Sequence, residues 1–261
     1  MVVIAVILLI AYETVGLAGF GVQLEPPMDE MIGMTVTRGL GGHVFLTLLW
    51  YLGYSVLNPL KKPFLRSLLF CIPAFAVVIN NLHIYTLAIG VERVTSGADR
   101  VALLALECLC VGLFEEMAFR GVVFLTILEK RRRGARDIVI AILLSAAVFG
   151  AVHALNLFYM PPIAVIQQIG YSFLIGAMCS VVLVKTHNIW ICVILHAIFN
   201  FGGALVPTLG EGFVWDTPTI IITVILAVAT TVYMTVALIK IPAHTLDSIY
   251  ALECKNSKKM D

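Results

Sequence analysis

Charge is scarce in this chain. Only 13% of its 261 residues are Asp, Glu, Lys or Arg, against roughly 25% in a soluble domain. That deficit excludes a water-soluble enzyme, a disordered tail and a nucleic-acid binder. The six cysteines include no C-x-x-C pair, so neither a zinc ribbon nor a disulfide framework is indicated. Cys71, Cys108, Cys110, Cys179 and Cys192 lie inside apolar runs and read as packing residues, while Cys254 sits in a polar tail. No H-E-x-x-H and no internal repeat occur. The first apolar run lacks a preceding basic flank, unlike a secretory signal peptide, and reads as a retained helix.

What the chain has instead is apolar length. Hydrophobic residues make up 61% of it, and its mean hydropathy is +1.01. A spanning helix needs roughly 20 apolar residues, and eight would occupy about 160 positions. Apolar runs predict helices near 2–20, 40–57, 65–89, 101–128, 138–158, 162–184, 188–207 and 218–240, separated by turn residues or charge. The 65–89 run is the least regular, because it contains Pro73 and the polar cluster Asn80-Asn81-His83. The expected fold is therefore all-α, a single polytopic membrane domain over 1–261 with about eight transmembrane helices.

Orientation follows from lysine and arginine in the connections. Those after the second, fourth and sixth helices, with the tail after the eighth, hold Lys61, Lys62, Arg66, Lys130, Arg131, Arg132, Arg133, Arg136, Lys185, Lys240, Lys255, Lys258 and Lys259. The opposite side holds only Arg38, Arg93 and Arg100. This asymmetry predicts both termini in the cytoplasm and fits an even number of spans.

Against that background, the fourth helix carries Glu115, Glu116 and Arg120 near its middle. On insertion scales each charge costs roughly 2.5–3.5 kcal/mol at that depth, so the three must face a protein-lined, partly wet cavity. Glu116 and Arg120, at i and i+4, share a face and can pair. Glu115 lies about 100° round the helix with no cation one turn away. A carboxylate so placed suits general acid or base work. The fifth helix sets Phe149 and His153 on one face, and the seventh does the same with His196 and Asn200. A lone intramembrane His or Asn is as readily interhelical glue. Together, however, Glu115, His153, His196 and Asn200 could activate water and hold an oxyanion. By contrast Glu13, His43, Asn80, Asn81, His83, Glu107, Gln167, Gln168 and His187 follow no such pattern and read as glue, cavity lining or loop residues.

These segments resemble the signature of the CPBP family, the CAAX-protease and bacteriocin-processing (Abi) intramembrane proteases. E-E-x-x-x-R matches Glu115, Glu116 and Arg120, with the aromatic-Arg-Gly ending in Phe119-Arg120-Gly121. F-x-x-x-H matches Phe149 and His153, and H-x-x-x-N matches His196 and Asn200. The resemblance spans roughly 100–202, the expected protease core. It implies an eight-helix fold that hydrolyses peptide bonds at the bilayer. It also implies Glu115 as the base that activates water with help from His153, and His196 and Asn200 as oxyanion holders. Glu116 and Arg120 are implied as supports of the helix geometry, with Phe149 packed against the site.

The cofactor stays open. Glu115, His153 and His196 could supply three ligands to a divalent metal such as zinc, and metal-independent water activation by glutamate is slightly preferred. The expected partners are the bilayer and a membrane-associated peptide or protein. Whether that substrate is prenylated, a bacteriocin leader or a membrane-anchored regulator is open. The compact size suggests the plasma membrane of a bacterium. Two other classes remain: a non-catalytic bacteriocin-immunity protein and, less favoured, a small proton-coupled transporter.

Overall fold

The computed structural model describes residues 27–58, 63–130 and 135–239. The run 2–20, Glu13, the basic residues Lys61, Lys62, Arg131, Arg132 and Arg133 and the tail with Cys254 lie outside the described residues. Of the described residues 84% are helical, and their single piece of sheet is two residues per strand, so the all-α expectation holds.

Helix α1 spans Met28–Tyr51, with Asp29 and Glu30 in its first turn, where carboxylates favour the dipole. The expected second helix began at 40; the structure starts it twelve residues earlier. Arg38 and Gly39 interrupt the apolar run without interrupting the helix. Their setting explains it. A Cβ on Gly42 would lie 2.9 Å from the Leu113 side chain and 3.1 Å from the Phe114 nitrogen, so the glycine lets a neighbouring backbone approach closely.

The irregular 65–89 run resolves into three short helices rather than one continuous helix: α2 (Phe64–Phe70), α3 (Ile72–Asn80) and α4 (Ile84–Ala88). Pro73 sits in the first turn of α3, where its missing N–H costs nothing. His83 holds a left-handed φ of 50° between α3 and α4. Strand β1 (Arg93–Val94) then pairs antiparallel with β2 (Gly210–Glu211).

The central rod comprises α5 (Ala98–Glu116), a π-helical stretch (Met117–Phe124) and α6 (Leu125–Glu129). It is followed by α7 (Ala135–Val152), which tightens into a 3₁₀ turn over His153–Phe158. After it come α8 (Pro162–Thr186), α9 (Ile189–Leu209) and α10 (Thr217–Ile239). The rod packs lengthwise between α1 and α9, and α7 packs on α8. The last four expected helices match observed ones within a few residues. Among the described residues, four helices are long and apolar enough to cross a membrane: Arg136–Phe158, Pro162–Thr186, Ile189–Leu209 and Thr217–Ile239. The chain is a helical membrane protein. The rod and α1 fall outside that set, in keeping with the charges they carry inside otherwise apolar sequence.

Cys71, Cys108, Cys179 and Cys192 are buried free thiols and Cys110 is half-buried, as packing residues should be. Glue roles are equally direct. Asn80 Nδ2 donates to Thr223 Oγ1 at 2.8 Å, tying α3 to α10. Asn81 Nδ2 donates to the Phe199 carbonyl at 2.7 Å.

Candidate functional site

The carboxylate pair of the rod meets α9 because small residues line the contact. A Cβ on Gly112 would lie 2.8 Å from the Val193 carbonyl oxygen and 3.2 Å from the Ala197 nitrogen. This close approach brings His196 against the rod. Its Nδ1 lies 2.7 Å from Glu116 Oε1 and its Nε2 3.3 Å from Glu115 Oε2. One imidazole thus spans two successive carboxylates. Glu115 has no cation one turn away on its own helix, and its partner His196 comes from α9.

Behind the imidazole, Arg120 Nη1 lies 3.1 Å from the same Glu116 oxygen, so the i, i+4 pair expected from spacing is present. Glu116 and Arg120 are both fully buried, at 0% exposure. The guanidinium also lies 4.4 Å over the Phe149 ring, a desolvated cation–π contact. Gly176 gives both groups room: a Cβ there would meet Arg120 and Phe149 at 3.0 Å each. Phe149 in turn presents its ring to His153 and to His196, both in T-shaped contact, at 5.1 and 5.7 Å between centroids. Phe119 closes the aromatic side at 4.7 Å from Phe149.

His153 begins the 3₁₀ turn at the end of α7, and its Nδ1 lies 2.9 Å from the Phe149 carbonyl oxygen. A carbonyl only accepts, so Nδ1–H is the donor, and Nε2 of the neutral ring keeps its lone pair. Glu115, Phe149, His153, His196 and Asn200 all line one cavity of about 1130 Å³. Glu115 is the accessible member of the carboxylate pair, with 13% of its side chain exposed. Glu116 and Arg120 stand behind the wall. The arrangement puts a reachable carboxylate, an imidazole with a free lone pair and an amide on one cavity, with a buried charged support beneath.

The three-ligand metal set does not assemble. Among the described residues, the trio whose ligand atoms all lie within 4.8 Å of one another is Glu116, Cys179 and Cys192, not Glu115, His153 and His196. In that trio Glu116 already meets Arg120 and His196, and Cys192 Sγ–H donates to the Cys179 carbonyl at 3.2 Å. Neither group fits a zinc centre.

Sequence reasoning missed the π-helical stretch. It starts directly after Glu116 and carries Phe119, Arg120 and Gly121. Such stretches recur at functional sites, but hydropathy periodicity carries no signal for them.

Fold and cavity define a helical membrane protein with a buried carboxylate–imidazole cluster open to an interhelical space. Residues 97–202 match the family model described as type II CAAX prenyl endopeptidase Rce1-like. The match supports membership of the CPBP family, and the matched family is one of proteases. No curated protein and no solved structure matches the chain.

Proposed function

We propose that the protein is an intramembrane endopeptidase of the CAAX-protease type that hydrolyses membrane-associated peptides by water activated at Glu115. The observation that carries this reading is the convergence of Glu115, His153, His196 and Asn200 on one cavity. Glu115 takes a proton from water while His153 Nε2 accepts the second hydrogen and orients it. The resulting hydroxide attacks the scissile carbonyl carbon. Asn200 Nδ2–H and the Nε2–H of His196, an imidazolium because both of its ring nitrogens face carboxylates, stabilise the oxyanion. As the C–N bond breaks, the protonated Glu115 returns its proton to the leaving amine. Glu116, by holding His196 Nδ1, fixes the imidazole, and Arg120 offsets the Glu116 charge.

The topology that accompanies this reading is a plasma-membrane protein of about eight spans with both termini cytoplasmic, supported by the distribution of basic residues in the connections. The decisive test is comparative membrane proteomics of cells carrying the wild type or Glu115→Ala, followed by cleavage assays of candidates with the purified chain. The variant accumulates an uncleaved substrate that the wild type processes. Full proteolysis by a purified Glu115→Ala protein sinks the reading. Ion flux in proteoliposomes without peptide cleavage returns the transporter class.

A further inference from the structure

The cavity does not end at the carboxylate–imidazole cluster. One face of the rod, stepping through Glu107, Cys108, Val111, Phe114, Glu115 and Phe119, lines it continuously. This stripe continues eight residues towards the N-terminus of α5 from Glu115, about 12 Å at 1.5 Å per residue. Its far end is a second polar arm. There Glu107 has a buried Oε2 with no hydrogen-bond partner among the described residues, which is not how interhelical glue behaves. Its electrostatic neighbour is another carboxylate, Glu30 of α1.

His83, 4% exposed, lines the same cavity. Its Nδ1 donates to Glu92 Oε1 at 3.0 Å, and its Nε2 is buried with no hydrogen-bond partner among the described residues. The ring stacks on Phe213, 5.4 Å away and 11° from parallel, and meets Trp215 edge-on at 4.7 Å. Phe213 and Trp215 line the same cavity. They are fixed there because the Val214 N–H donates to Glu92 Oε1 at 3.0 Å and the Thr86 hydroxyl donates to Oε2. Among the described residues, two cations line the cavity: Arg136, and Arg38, whose guanidinium lies 4.9 Å over the Phe114 ring.

A carboxylate oxygen without a hydrogen-bond partner among the described residues and two aromatic rings line one cavity, and such groups favour a cation. We propose that this arm is a specificity subsite that receives a lysine or arginine side chain of the substrate, with Glu107 as its counter-ion. The assignment rests on the peptidase reading above and adds a ruler to it. An extended peptide rises about 3.4 Å per residue. The basic residue therefore sits about three to four positions from the scissile bond.

Two measurements on the full chain in lipid nanodiscs test it. Fluorescein-labelled decapeptides carry one lysine moved along an otherwise neutral sequence, with norleucine as its uncharged counterpart. In the first, anisotropy with the non-cleaving Glu115→Gln chain reads binding. The lysine peptides bind at least tenfold more tightly than the norleucine peptides. Adding Glu107→Gln abolishes the difference, and Glu107→Asp in its place restores part of it. In the second, the wild type cleaves each peptide at a constant distance from the lysine, so the cut moves as the lysine moves. Equal binding of lysine and norleucine peptides overturns the subsite, as does a lysine preference that survives Glu107→Gln. Cleavage without lysine preference overturns the subsite and leaves the peptidase. A Glu107-dependent lysine preference with no cleavage leaves the subsite and overturns the peptidase.

Discussion

His196 and Glu116 are joined by a 2.7 Å contact between buried atoms on different helices, Nδ1 to Oε1. The same carboxylate oxygen carries Arg120 at 3.1 Å. Glu116 is therefore a structural anion, and Glu115, its neighbour in sequence, is the one that meets the cavity.

That division of labour separates the two glutamates experimentally. Glu116→Gln leaves Arg120 as a buried, uncompensated cation. It costs about 3–5 kcal/mol, visible as a lowered unfolding temperature in detergent. Glu115→Gln leaves the unfolding temperature unchanged and lowers the cleavage rate by a factor on the order of 10²–10⁴. A Glu116→Gln protein as stable as the wild type contradicts the assignment.

The contact between α5 and α9 is set by Gly112. Gly112→Ala drives a methyl group into the Val193 carbonyl, 2.8 Å away, and backbone cannot swing aside as a side chain can. The expected cost is about 1–3 kcal/mol, with reduced activity because His196 travels with α9. Gly39→Ala is the control, since its Cβ would stand 3.4 Å from Cys110 Sγ in near-ordinary contact. Unfolding temperature and cleavage rate of both variants decide the point.

The Glu92 clasp makes loop stability depend on pH. Burial of Glu92 pushes its carboxyl up, but the hydrogen bonds from Thr86, His83 and Val214, with the His83 charge, outweigh that and hold it below its ordinary value of 4.5. A depressed carboxyl stabilises the fold fully above the unfolded value and loses that contribution as pH falls through the folded one. The stability gap between wild type and Glu92→Gln is therefore full at neutral pH and narrows below about pH 4.5. A gap that widens on acidification contradicts the clasp.

Orientation has its own test. A cysteine introduced by Ser96→Cys, between β1 and α5, reacts with a membrane-impermeant maleimide added outside intact cells. A cytoplasm-dependent reporter fused after Asp261 is active. Labelling only after the cells are opened reverses the proposed topology.

How much of this was legible in the sequence depends on what periodicity and spacing encode. The helices at 138–158, 162–184, 188–207 and 218–240 were legible because uninterrupted apolar length marks a span. The Glu116–Arg120 pair was legible because i, i+4 spacing is local. The contact of Glu115 with His196 was not, since it depends on how closely α5 and α9 approach, which Gly112 decides without any hydropathy signature. The start of α1 was hidden by Arg38, which seats its charge on the Phe114 ring rather than ending the helix. Pro73 and the Asn80-Asn81-His83 cluster flagged the 65–89 run as irregular, yet only the left-handed turn at His83 reveals why it divides there.

The π-helical stretch Met117–Phe124 bears on how this segment tolerates insertion and deletion. In a regular helix each residue added or removed turns everything beyond it by about 100°. Removing Val122 would restore regular winding locally and reset the phase of Glu115 and Glu116 relative to α6, moving the pair relative to His196. The extra slack in the winding is thus a phase setting between the two halves of the rod. Length variation among related chains should avoid this stretch and collect in the connections.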